Sequence, residues 1–221
     1  MLNINTYKLN NYPLEEELKY YLLNCWKDNG IDFFVQQWLS EGVPFIFQDY
    51  PFLFESLRFK LAKGLSLNSK EITIVGSARL GYSLTPPPKF GTQFNSSSDL
   101  DFALVSSLLF KKCEIENNLW KIEYKSGKAI PNKNEKDYWD SNFIHNDVQI
   151  NRGFIDSNKI PNRYTTIKSI NNMRWYLEQY LSYNKPSLSF KKINFRIYSD
   201  WDCFLKQQKI NINDLKSKLS I

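Results

Sequence analysis

Two aspartates one residue apart, Asp99 and Asp101, open the run Asp99-Leu100-Asp101-Phe102-Ala103-Leu104-Val105. A Gly-Ser pair, Gly76-Ser77, directly follows the β-branched run Glu71-Ile72-Thr73-Ile74-Val75. Both runs read as strands. Strand residues two apart point to the same face, so Asp99 and Asp101 project together while Leu100, Phe102 and Leu104 point into a core. Two parallel carboxylates at the start of a buried strand repel each other, and desolvation adds to that cost. A divalent cation relieves both, and Mg²⁺ commonly takes one or two carboxylates together with phosphate and water oxygens. Gly76 permits close backbone approach, and exposed N–H groups after it suit a phosphate. Ser77 adds a hydroxyl donor. Arg79 reads either as a charge-assisted donor to the same anion or as a surface cation. A phosphate site and a metal site on neighbouring strands together make a phosphoryl-transfer centre.

The rest of the composition narrows the chemistry to carboxylates and a hard metal. His145 is the only histidine, so zinc sites with several His ligands are impossible, and a Ser-His-Asp or Cys-His triad would depend on that one residue. The three cysteines, Cys25, Cys113 and Cys203, form no CxxC pair and read as free thiols in a reducing compartment. Residues 1–12 are polar and Asn-rich, unlike a signal peptide, and no run approaches the length needed to span a bilayer. The expected location is the cytoplasm. A net charge of +6 suits a polyanionic partner, RNA or a nucleoside triphosphate, and equally suits a coding bias toward Lys and Asn.

These residues need elements to hold them. Helices are expected over residues 13–29, 31–40 and 51–63, the first with a stripe of Leu14, Leu18, Leu22 and Trp26 and the third ending near Gly64. Strands follow at 71–75 and 99–105, separated by a proline- and glycine-rich loop over 84–94 that would shape a substrate entrance. Further helices are expected over 108–124, 135–151, 165–183 and 201–219, with a strand at 190–198 whose Ile193, Phe195 and Ile197 share one face. Trp175, Tyr176 and Tyr180 read as core and interface, Lys111-Lys112 and Lys191-Lys192 as solvated faces, Arg152 as a surface charge, and Tyr82 as a base-stacking candidate. The order of elements implies an α+β fold, a small sheet packed with helices. The chain divides into an N-terminal helical segment (1–65), a core (66–160) and C-terminal helices with a strand packing on that core (161–221).

The conjunction of an apolar strand, Gly76-Ser77, Gly81, and then Ser98-Asp99-Leu100-Asp101 opening a second strand resembles the DNA-polymerase-β-like nucleotidyltransferase superfamily. The resemblance covers about residues 72–105. It implies the small mixed sheet of that superfamily, with Gly76 and Ser77 gripping a triphosphate, Ser98 beside them, and Asp99 and Asp101 ligating Mg²⁺ or Mn²⁺. The implied reaction moves a nucleoside monophosphate from an NTP to a hydroxyl acceptor, which could be an RNA 3′ end, a protein or a nucleotide. Small bacterial members often serve in toxin–antitoxin or antiviral defence systems, which is the role the resemblance permits. The superfamily usually supplies a third carboxylate from a later strand flanked by apolar residues. Glu123, Asp147 and Asp156 are the candidates. If none serves, the alternative is a non-catalytic nucleotide- or RNA-binding regulatory module.

Overall fold

A computed structural model describes residues 11–24 and 29–219. The described chain is α+β: helices around a four-stranded mixed sheet. The strands are β1 (Ile72–Val75), β2 (Leu100–Val105), β3 (Phe154–Asp156) and β4 (Ile193–Tyr198), in the order β1-β2-β4-β3. β1 and β2 are antiparallel, with Val75 opposite Asp101. β2 and β4 are parallel, with Asp101 opposite Asn194. β3 and β4 are antiparallel, with Asp156 opposite Arg196. β2 and β4 are the central strands, as the near-continuous apolar run after Asp101 requires.

The pleat sorts side chains onto two faces. Leu100, Phe102, Leu104, Ile193, Phe195 and Ile197 point into the larger hydrophobic core. That core is completed by α3 (Pro51–Leu65), α5 (Ser107–Lys125), α6 (Lys136–Asn151) and α7 (Thr165–Asn184). The other face carries Asp101, Ala103 and Val105 beside Asn194, Arg196 and Tyr198. There Phe204 of α8 (Trp201–Leu219) covers its apolar end. A second cluster joins Leu18 and Leu22 of α1 (Glu15–Asn24), Phe34 of α2 (Gly30–Phe34), Leu80 and Tyr82, and Ile212 and Leu215 of α8. Hydrophobic contacts thus run across the divisions at 65/66 and 160/161.

Several local expectations shift for identifiable reasons. α1 begins at Glu15, so Leu14 lies before the helix and is 63% exposed while Leu18 and Leu22 are fully buried. Trp26 and Cys25, like residues 1–10, lie outside the described residues. Residues 30–40 form α2 followed by a π-helical turn over Val35–Ser40. α3 ends near Gly64 as expected, stopping at Leu65 with Ser66 in the left-handed conformation at φ 57°, and a Cβ on Gly64 would also collide with Met173 of α7. Gly64 therefore serves close helix packing. β3, three residues long, was invisible to strand periodicity, as was the single turn α4 (Ser77–Leu80). Trp175 and Tyr176 sit on the outer surface of α7 rather than in the core. Cys113 and Cys203 are free, and burial pushes the Cys113 thiol up to about 12. Among the described residues no helix is long and apolar enough to cross a membrane.

Candidate active site

Gly76 ends β1 with φ 71° and ψ −154°, a region essentially reserved for glycine. The chain can therefore turn sharply out of the strand, and the register brings this bend against β2. A Cβ on Gly76 would lie 3.3 Å from Asp101 Oδ2. Asp99 sits one residue before β2, presented by a tight turn. Asn95 Oδ1 accepts from Ser97 N at 2.8 Å, Asn95 O accepts from Ser98 N at 2.9 Å, and Asn95 N donates to Ser98 Oγ at 3.1 Å. The entrance to β2 is also tied to the segment leading into β4: Lys191 N donates to Ser98 O at 2.8 Å and Leu100 N donates to Lys192 O at 2.9 Å.

The two carboxylates meet over Asn194. Its Nδ2 donates to Asp99 Oδ2 at 3.0 Å and to Asp101 Oδ1 at 2.9 Å. The pair is therefore held side by side from the neighbouring strand. Burial raises the Asp101 pKa, the Asn194 bond opposes this, and the Asp99 charge raises it further. Asp99 Oδ1 is buried without a hydrogen-bond partner, and Lys192 Nζ stands 4.0 Å from Asp99 Oδ2. An orphaned carboxylate oxygen beside a second carboxylate is the donor set a hard divalent cation completes. Asp99 and Asp101 thus fit such an ion, together with oxygens from a bound substrate. No group of three or more His, Cys, Asp or Glu suited to a metal occurs among the described residues.

The pair lies in a cleft of about 860 Å³ also lined by Gly76, Ser77 and Ser98. One wall is the loop after Gly81, closed on itself by Gly91 N donating to Ser83 O at 3.0 Å and Ser83 N donating to Thr92 O at 2.9 Å. Thr85, Pro86 and Lys89 of this loop line the cleft. Gln208, Asn211, Ile212 and Asp214 of α8 line it as well. Lys191, read as one of a solvated pair, also lines the cleft.

Arg79 is not in the cleft. Its Nε donates to Trp38 O at 2.9 Å and its Nη1 to Gly42 O at 2.9 Å, and it is 3% exposed. Burial pulls its pKa down to about 10. The guanidinium fastens the chain before α3 to the turn after Gly76, and those carbonyls take the donors a phosphate would need. Tyr82 is likewise buried, donating to Pro13 O at 2.9 Å, so its ring is closed to stacking.

The three candidate third carboxylates part company. Glu123 on α5 accepts from Tyr164 Oη at 2.6 Å, and Asp147 on α6 is an exposed partner of Lys121. Neither lines the cleft. Asp156 does, but Arg196 grips it with Nε to Oδ1 at 2.6 Å and Nη2 to Oδ2 at 3.1 Å, and Lys159 Nζ lies 3.3 Å from Oδ2. Burial alone would raise its pKa, yet the Arg196 bonds and charge, with Lys159 and Gln149, hold it below the usual carboxylate range.

Asn194 is the residue that sequence reading missed. Its flanks are Ile193 and Phe195, the apolar-polar-apolar pattern sought for a third carboxylate, but the search considered only acids. The alternation of its strand already placed Asn194 and Arg196 on the face opposite Ile193, Phe195 and Ile197. Comparison with protein-family models, with curated proteins and with solved structures finds no match.

Proposed function

We propose that this chain is a Mg²⁺- or Mn²⁺-dependent nucleotidyltransferase with a sheet of the nucleotidyltransferase type. The observation that carries the reading is the meeting of the Asp99–Asp101 pair with the Gly76 bend at the foot of one cleft, where Asp101 Oδ2 stands 3.3 Å from the place of an absent Cβ. The chemistry is transfer of a nucleoside monophosphate from an NTP to a hydroxyl. The acceptor oxygen bonds to the α-phosphorus, the bond to the pyrophosphate oxygen breaks, pyrophosphate departs with that electron pair, and the hydroxyl proton passes to solvent. A bound divalent ion supplies charge neutralisation for the phosphates. Asp99 and Asp101 hold that ion, Asn194 keeps the two carboxylates in register, and Gly76 lets the triphosphate approach the backbone. Ser77 and Ser98 offer hydroxyls to it. RNA, a protein or a nucleotide is the acceptor class, a toxin–antitoxin or antiviral defence system is the setting, and a reducing cytoplasm suits the free thiols.

The test is incubation with α-phosphate-labelled NTPs, Mg²⁺ or Mn²⁺, and total RNA or protein. Label should appear on an acceptor and vanish in Asp99→Ala. No transfer by the wild-type chain with any of the four NTPs would overturn the enzymatic reading.

One observation favours a second reading. The position beside the acid pair on β4 is an amide, and the further carboxylate whose charge reaches Asp101, Asp156, is committed to Arg196. A centre without a free third carboxylate suits a regulatory module that binds nucleotide or RNA without turnover. Nucleotide binding in the absence of label transfer would single it out.

A further inference from the structure

The inner stripe of α8 runs Phe204, Gln208, Ile212, Leu215. The three apolar members are essentially fully buried. Gln208 is also buried, 7% exposed, yet it carries an amide where the helix pattern calls for an aliphatic side chain. A primary amide offers two donors and a carbonyl acceptor, and a buried one without partners costs stability. Among the described residues Gln208 makes one hydrogen bond, Nε2 to Tyr198 Oη at 3.5 Å, the outer limit for such a bond. Its carbonyl oxygen accepts no hydrogen bond among them and is not fully buried.

Gln208 lines the same cleft as Asp99 and Asp101, and one turn further along Asn211 lines it too. Asn211 Oδ1 accepts from Gln207 Nε2 at 2.9 Å, which fixes the amide and leaves its own Nδ2 hydrogens without an acceptor among the described residues. The cleft is bounded on this side by Leu39, Leu84 and Ile212, which are apolar. Apolar walls with a few convergent amides make a slot for a flat heteroaromatic ring with a polar edge. Of the cations around this amide, Arg196 is engaged by Asp156 and Lys209 by Asp32, while Lys89 and Lys191 line the cleft from other segments of the chain.

We propose that Gln208, seconded by Asn211, is the residue that reads the nucleobase of the bound triphosphate, and that the base is adenine. An amide matches the adjacent donor and acceptor of adenine N6 and N7, whereas guanine N7 and O6 are two acceptors better served by an arginine or lysine. This inference rests on the nucleotidyltransferase reading, since it needs a nucleotide in the cleft.

The experiment is calorimetric titration of the full chain, with Mn²⁺, using α,β-methylene ATP, α,β-methylene GTP and inorganic tripolyphosphate. Wild type should bind the ATP analogue about tenfold more tightly than the GTP analogue. Gln208→Leu should erase that preference, leave tripolyphosphate affinity unchanged, and melt no lower than wild type. A purely structural glutamine would give a lower melting temperature and an intact preference. Equal affinity for the two analogues in wild type, or a preference that survives Gln208→Leu, overturns the base-reading role while leaving triphosphate binding in place. Failure of tripolyphosphate and both analogues to bind overturns the nucleotide reading and this role with it. Should Gln208→Leu not fold, the exposed Asn211→Ala carries the same comparison, with a loss of at least threefold in the preference expected and no change overturning the proposal.

Discussion

Asp99, Asp101 and Asn194 form the smallest unit on which the proposed function depends: two acids and the amide that bridges them. Because burial and the Asp99 charge raise the Asp101 pKa, ionising Asp101 in the folded, metal-free chain works against the fold. That contribution to stability is complete below the ordinary aspartate pKa and is lost as pH rises through the raised value. Asp101→Asn is therefore expected to raise the melting temperature of the metal-free protein at pH 7 and to abolish stabilisation by Mn²⁺, both read by thermal melting. A melting temperature that falls would show that the pair is not under electrostatic strain. Asp156 has the opposite sign. Its depressed pKa means that its contribution is present above the ordinary value and disappears as pH falls through the depressed one. Asp156→Asn strands Arg196, and the expected loss is roughly 2–3 kcal/mol in urea unfolding. This lies below the range for a fully buried pair, because Arg196 keeps part of its side chain in water. Gly76→Ala should cost about 1–3 kcal/mol from its backbone conformation and crowd Asp101 Oδ2. Triphosphate binding should be lost even where the variant remains folded at the assay temperature.

At the scale of elements, most helices follow their periodicity. Ile167, Ile170, Leu177 and Leu181 of α7 are all buried, as their spacing dictates. Some residues have a further role set by a neighbouring element. Gly64 lies near the end of α3 and is also a contact point for α7. Gly81 matched a motif position, and its structural role is double: it turns the chain after α4 at φ 92°, and its missing Cβ makes room for the Phe45 ring. Gly81→Ala should therefore destabilise by roughly 2–4 kcal/mol, combining backbone strain with overpacking. Denaturant unfolding checks this, and a change below 1 kcal/mol would mean that the ring and turn relax freely. The pair Gly76 and Asp99-Leu100-Asp101 was legible because each half is a short local signal on a recognisable strand. Asn194 was not, because an isolated asparagine in a strand has no chemical signature until its register partner is known.

Across the whole molecule, the N-terminal helices and α8 hold each other through the second hydrophobic cluster, beside the cleft rather than beneath it. Ile212 belongs to both that cluster and the cleft wall. Ile212→Ala should cost about 2–5 kcal/mol by leaving a cavity, and tryptophan fluorescence and circular dichroism should still report one coincident transition if the clusters unfold together. Two separated transitions would show that the α8 layer melts independently. The net charge of +6 adds a long-range attraction for polyanions. Triphosphate affinity should weaken as salt is raised from low to physiological ionic strength, since the Debye length shrinks toward about 8 Å.

The sequence alone determined the α+β class, the helices with strong periodicity, the β1 and β2 strands, the glycine-serine pair that follows one of them and the two acids that open the other. Each of these depends on residues close together in the chain, where propensity and side-chain period act directly. Only the tertiary structure decided that Asn194, 93 residues from Asp101, bridges the acids. The same is true of Arg196 engaging Asp156, and of Arg79 turning away from the cleft to the carbonyls of Trp38 and Gly42. Those outcomes depend on which strands become neighbours and in what register. Register is settled by the packing of both sheet faces at once, a property that no single segment of the chain contains.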